Sequence, residues 1–126
     1  MSDIRDDLKY TESHEWVKEI GETVQVGITD HAQEELTDIV FVELPEVGKE
    51  VSKGDELCIV ESVKSVSEIY APVSGRIEKV NSALEDAPET INNSPYDDGW
   101  LVEIKTTDNS EKSSLLDAEA YGKTIS

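Results

Sequence analysis

The chain has a single cysteine, Cys58, so it can form no intrachain disulfide and build no cysteine-rich metal site. Cys58 lies in the apolar run Leu57-Cys58-Ile59-Val60, which reads as buried, unreactive packing. Positive charge is scarce as well: 11 Lys+Arg face 29 Asp+Glu, a net charge of −18. A nucleic-acid binder needs a basic stripe, and an anionic bilayer attracts basic segments, so neither is expected as a partner. The charge leaves open a solvated acidic coat or steering toward basic patches on other proteins. No apolar run approaches the roughly 20 residues of a membrane-spanning helix. The start, Met1-Ser2-Asp3-Ile4-Arg5-Asp6-Asp7, is acidic and has neither a secretory apolar region nor the character of a transit peptide. A cytoplasmic location is therefore expected. The two histidines, His14 and His31, have no neighbouring nucleophile and make poor acid–base catalysts. His14 is expected to pack or hydrogen-bond beside Trp16, and His31 to sit at a helix start. With no phosphate-binding glycine loop, metal-ligand cluster or nucleophile–base pair in view, catalysis by this chain is not expected.

What the chain does have is alternation. Trp16, Lys18 and Ile20 recur with the period of a strand, with Val17 opposite. Gly21-Glu22 marks a turn, and Val24, Val26 and Ile28 line the next face. Asp30 to Asp38 reads as a short helix, with Asp30 and Gln33 as a capping box and Ala32 and Leu36 on the buried side. Ile39-Val40-Phe41-Val42-Glu43-Leu44 is β-branched and aromatic, hence a strand, and Pro45 ends it. Glu50-Val51, Leu57 to Val63, the stretch through Val66, Ile69, Val73, Ile77 and Val80, and Trp100 to Ile104 are further extended pieces, with breaks at Pro72 and Gly75. Asn81 to Pro95 reads as polar loop. In the tail, Asp108 and Glu111 read as a capping pair, and Leu115, Ala118, Tyr121 and Ile125 follow at helical spacing. This predicts a C-terminal helix over about residues 109–123. Residues 1–126 are thus expected to form one mainly β domain, of the kind that closes into a small barrel or sandwich. A domain of this length buries roughly two-thirds of its unfolded surface and needs no disulfides.

The segment Glu61-Ser62-Val63-Lys64-Ser65-Val66-Ser67-Glu68 sits between apolar strands and has no Gly, Pro or Asn at its centre. A two-residue hairpin ordinarily prefers those residues, because its central positions need positive φ. Ease of turning alone does not account for this turn. A lysine at its tip presents a compact amine on a flexible stem, suited to acylation. Lys64 is also one of nine lysines, and spacing alone does not mark it as modified.

Glu61-Ser62-Val63-Lys64, continuing through Ser67-Glu68 to Ala71-Pro72-Val73-Ser74-Gly75, resembles the lipoylation segment of the glycine cleavage H proteins. So do Tyr10-Thr11 with His14-Glu15-Trp16-Val17, and Gly27-Ile28-Thr29 followed by Ala32-Gln33. The same holds for Asp38-Ile39-Val40-Phe41-Val42-Glu43-Leu44-Pro45, Asn93-Ser94-Pro95-Tyr96 and Gly99-Trp100-Leu101. The segments follow the family's order over about residues 8 to 122. The resemblance implies a small barrel-sandwich hybrid of the lipoyl/biotinyl-carrier type, with a short internal helix and a C-terminal helix. It implies lipoate as cofactor, attached in amide linkage to Lys64 by a lipoate-attaching enzyme, and a non-catalytic shuttle role. The implied partners are pyridoxal phosphate-dependent glycine decarboxylase, which loads an aminomethyl group, aminomethyltransferase, which passes its carbon to tetrahydrofolate, and dihydrolipoamide dehydrogenase, which reoxidises the dithiol. It further implies a cleft that shelters the loaded arm, where Ser13 and Glu15 match positions able to accept from a protonated amine and Glu68 lies just beyond the lysine turn. In so acidic a chain each of the three also reads as an ordinary solvated residue.

Two departures stand out. Thr37 occupies a position where the family usually has Gly. A β-branched residue at positive φ costs at least ~1 kcal/mol, so an ordinary φ is expected at Thr37. Ser65 and Val66 stand where small residues are common, which bears on how a modifying enzyme grips the hairpin. Other readings of the same hairpin stay open: a lipoate relay supplying other lipoyl enzymes, or an unmodified acidic interaction module in which Lys64→Ala is harmless. A biotin carrier would show Met-Lys-Met, whereas Lys64 lies between Val63 and Ser65.

Overall fold

The computed structural model describes residues 4–125. The strands are β1 (Lys9–Tyr10), β2 (Glu15–Ile20), β3 (Thr23–Ile28), β4 (Ile39–Glu43), β5 (Glu50–Val51), β6 (Glu56–Ser62), β7 (Val66–Tyr70), β8 (Gly75–Val80) and β9 (Val102–Thr106). The helices are α1 (Asp30–Leu36), the one-turn α2 (Ala83–Asp86) and α3 (Thr90–Asn93), and α4 (Ala118–Ile125), with a 3-10 turn over Asn109–Ser114. A six-stranded sheet runs β1-β2-β3-β9-β8-β5 and a three-stranded sheet runs β4-β6-β7, with antiparallel pairing throughout. Both sheets bury their inner faces in one core, built from Val17, Val24, Val26 and Ile28 of the larger sheet and Val42, Val60 and Ile69 of the smaller. Val73, Ile77 and Ile104 complete its middle. This is the mainly β barrel-sandwich arrangement expected.

β2 departs from simple alternation. Glu15, Trp16 and Val17 are all buried, and Lys18, Glu19 and Ile20 all reach solvent. The cause is coverage. Val17 faces the main core, while Trp16 faces a second, aromatic cluster with Tyr10, Tyr96 and Tyr121, and β1 reaches only as far as Val17. The Trp16 ring lies over its cross-strand partner Gly27, where a Cβ would sit 2.6 Å from the ring. Only glycine gives the indole this room. Its Nε1 donates to the buried Pro95 carbonyl at 2.8 Å.

Local chemistry moves three other expected features. The N-cap of α1 is Thr29, not Asp30: its hydroxyl accepts the Ala32 N–H at 3.2 Å, while Gln33 donates to the Asp30 carboxylate at 2.8 Å. The stretch from Asn81 to Pro95 contains the two one-turn helices, which tuck Leu84 and Ile91 into the core. The tail is not one helix. Leu116 exchanges two backbone bonds with Tyr10, at 2.8 and 2.7 Å, and this extends the chain between the 3-10 turn and α4. Glu111 does not complete a capping box. Its carboxylate accepts the N–H and the hydroxyl of Ser74, at 2.6 and 2.8 Å. Asp117 begins the true helix by accepting from the Ala120 N–H at 2.8 Å.

Candidate functional site

Val63, Lys64 and Ser65 link β6 to β7, with Val63 and Lys64 at the tip. Glu61 and Val66 are the last paired residues, and the Ser62 N–H donates to the Ser65 carbonyl at 2.8 Å. No link residue has positive φ; among described non-glycine residues only His14 and Thr37 do. The turn therefore differs from the primed type that Asn-Gly would make. Ser62 takes over the local hydrogen bonding. Its Oγ accepts the N–H groups of Lys64 at 3.1 Å and Ser65 at 3.0 Å, which stabilises the bend through a side chain. The Val63 N–H donates to the Asp38 carbonyl at 3.0 Å, tying the tip to the α1–β4 turn. The exposed Lys64 side chain reaches back, and its Nζ donates to the Glu35 carbonyl at 3.2 Å. That carbonyl lies in the last turn of α1, where backbone acceptors lack intrahelical partners.

A groove of about 230 Å³ begins at Lys64, lined by Ser65, Ser67, Ile69, Ala32, Leu36 and Ser13. Ser13 also lines a second groove of about 390 Å³, with Thr11, Glu15, Tyr70, Ala71 and Pro72. Ser13 is thus the junction between the lysine and a buried carboxylate. Glu15 is 1% exposed. Its Oε1 accepts from Thr11 Oγ1 at 2.5 Å and from Ser13 Oγ at 2.6 Å. Its Oε2 is buried with no hydrogen-bond partner among the described residues. Burial pushes the Glu15 carboxyl above its usual range, and the Ser13 and Thr11 hydroxyls, with the Tyr70 backbone N–H, offset this only in part. A buried acceptor with nothing to accept from suits a cationic donor entering the groove.

Ser13 and Glu15, anticipated together, are in direct contact. Glu68 joins them only through Tyr70. It lies with Val66 and Tyr70 on the outer side of β7, and its carboxylate accepts the Tyr70 hydroxyl at 3.0 Å. Thr11 and Tyr70 were not singled out from the sequence. Thr11 had a usable signal in its place beside Ser13 and Glu15. Tyr70 had none, because only the folded hairpin carries it to Glu15.

His14 sits between Ser13 and Glu15 with φ 72. It packs and hydrogen-bonds, as expected, with Tyr121 and His31 as its partners. Its Nδ1 meets the Tyr121 hydroxyl at 2.8 Å, that hydroxyl lies 2.7 Å from Thr29 Oγ1, and the His14 and His31 rings stand 4.8 Å apart. Burial, then His31, lowers the His14 pKa from its ordinary value. His31 is in the first turn of α1 and pairs with Glu35 at 2.7 Å. Thr37, against expectation, has φ 67 and ψ −144. Its N–H closes α1 on the Gln33 carbonyl at 2.9 Å, and the chain must reverse at once to start β4. The need for that reversal overrides the local preference of the residue.

Residues 8–126 match the family model of the glycine cleavage H-protein. The chain belongs to the glycine cleavage H-protein family. It is 58% identical to the glycine cleavage system H protein of Teredinibacter turnerae, over 99% of this chain and 97% of that one. It is 59% identical to that of Saccharophagus degradans, with the same coverage. The crystal structure of a glycine cleavage system H protein from Mycobacterium marinum superposes with a TM-score of 0.89 at 44% identity, covering 97% of this chain and 98% of that one. The H-protein family is a lipoyl-carrying family, and membership supports a carrier role in the glycine cleavage system. Among the described residues no three His, Cys, Asp or Glu side chains are grouped to hold a metal ion, and no helix is long and apolar enough to cross a membrane.

Proposed function

We propose that Lys64 is the lipoylated residue and that the chain is the shuttle of the glycine cleavage system. It would receive the aminomethyl group at glycine decarboxylase, surrender it at aminomethyltransferase, and be reoxidised at dihydrolipoamide dehydrogenase. The observation that carries this reading is the placement of Lys64. In a chain of this family, a turn tip built by a serine clamp puts a lysine at the head of a groove that leads past Ser13 to a buried, half-satisfied carboxylate.

The residues fit the group. A lysine amide keeps one N–H, which the Glu35 carbonyl is placed to accept. The flanking groove has the apolar walls Ala32, Leu36 and Ile69 that an aliphatic chain needs. When bound, the lipoyl group supplies the dithiolane chemistry that carries the aminomethyl unit and its electrons. The protein's part is to shelter and orient. Glu15 Oε2 accepts from a cationic amine, Ser13 and Thr11 fix the carboxylate from the other side, and Glu68 holds Tyr70 at the groove wall. This chain contributes no catalytic residue, and the chemistry of loading and unloading belongs to the partner enzymes.

The test is intact and peptide mass spectrometry on protein made in a host with active lipoate attachment. A single lipoyl increment on the Lys64 peptide, lost in Lys64→Arg, is expected. An unmodified Lys64 alongside lipoylated host proteins would overturn the proposal.

A further inference from the structure

The lysine hairpin rests on the turn between α1 and β4, and that turn is strained. Thr37 holds φ 67 and ψ −144, a region suited to glycine, and such a conformer persists only where its surroundings over-determine it. Besides the Thr37 N–H bond to the Gln33 carbonyl, one side chain bonds the turn on both sides. Asn92, from the one-turn helix α3, accepts the Ile39 N–H on Oδ1 at 2.9 Å. Its Nδ2 donates to the Thr37 carbonyl at 2.7 Å and to Gln33 Oε1 at 3.0 Å. Both amide protons and the carbonyl are thereby engaged on the last turn of α1 and the first residue of β4. The chain between these fixed points carries the hairpin's two contacts with the turn. The Asp38 carbonyl accepts the Val63 N–H, and the Glu35 carbonyl accepts Lys64 Nζ.

We propose that Asn92 is a positioning residue for Lys64. It holds the Thr37 turn in its strained form, so that the Asp38 carbonyl fixes the hairpin tip and the Glu35 carbonyl fixes the lysine head. The Asn92 side-chain hydrogen bonds go to Ile39, Gln33 and Thr37, it does not line the arm groove, and it acts through the turn. The inference rests on the reading of Lys64 as the acylated lysine.

Three apo-proteins serve as substrates of a lipoate-attaching enzyme with lipoate and ATP: wild type, Asn92→Ala, and Thr37→Gly/Asn92→Ala. Exchange of the Val63 amide proton is followed by NMR on the same samples. Without Asn92 the strained turn relaxes, a fraction of molecules present Lys64 correctly, and apparent affinity falls by that fraction. The expected result for Asn92→Ala is a KM about tenfold higher with kcat within about twofold, and Val63 exchange about tenfold faster. Glycine takes positive φ freely, so the double variant regains the turn without the clamp. Its KM and Val63 exchange are expected within about threefold of wild type. An unchanged KM in Asn92→Ala, a loss confined to kcat, or a double variant as impaired as the single one would overturn the proposal. If Asn92→Ala does not fold, Thr37→Gly and Thr37→Gly/Asn92→Ala are compared, and a tenfold gap in KM between them refutes it. Wild type that takes no lipoate at all would sink the reading of Lys64, and Val63 exchange would still decide the role of Asn92.

Discussion

Glu15→Gln isolates the cost of keeping an unpartnered carboxylate ready for a cation. Gln retains an acceptor for the Thr11 and Ser13 hydroxyls but removes the buried charge at Oε2. The native pKa of Glu15 lies above the ordinary carboxylate value. Below about pH 4.5 the carboxyl is protonated in both folded and unfolded chains, and the wild type and variant should be equally stable. As pH rises, the unfolded chain ionises first and its free energy falls relative to the native chain. The wild type therefore loses stability until the native pKa is passed, and the gap then stays constant. A buried acceptor without a partner costs ~1–3 kcal/mol. The variant should therefore be about 1–3 kcal/mol more stable at pH 8. For a domain of this size that is a rise of roughly 3–5 °C per kcal/mol in Tm. Thermal melts of unlipoylated protein at pH 4, 6 and 8 measure it. A variant equal to or less stable than wild type at pH 8, or a gap independent of pH, refutes the reasoning. Function should suffer as stability rises: lipoylated Glu15→Gln loaded with aminomethyl should release its cargo to water faster than wild type.

Tyr121→Phe removes the hydroxyl shared by His14 and Thr29; urea unfolding should show a loss of about 1–2 kcal/mol with unchanged m. The His14 ring, monitored by NMR, should titrate below 6.5. Because its native pKa is depressed, its contribution to stability is fully present above the unfolded value and lost as pH falls to the native pKa. Cys58 is buried, and burial first, then the nearby Glu15 and Glu56 charges, pushes its thiol far up. A maleimide should label it at least ~10³-fold more slowly in native protein than in urea, and comparable rates would show that β6 opens locally.

Much of this protein is written in its residue pattern. The β-branched runs of β3, β4 and β6 favour extended chain by their own composition, although Val40 and Phe41 of β4 stay exposed, so the existence of these strands was legible from period and composition. So was a lysine at a turn lacking the usual turn residues, whose backbone a serine hydroxyl then satisfies. Where the sequence misled, a distant partner had overridden a local preference. Leu116 pairs with Tyr10, and so a helical pattern is interrupted. Trp16 finds an aromatic cluster behind it, so both faces of β2 are buried. Thr37 takes a glycine-like backbone where α1 must reverse into β4, with Asn92 bonded on both sides of it. Positive φ at His14 and the unpartnered oxygen of Glu15 have the same origin. They exist only once Tyr121, Thr29 and the strand β7 are brought to one place. Sequence alone settled most of the strands, the main β core and a lysine at the turn after β6, because these follow from local period and chemistry. Tertiary structure decided where the strain and the unsatisfied charge reside, because both depend on contacts between residues far apart in the chain.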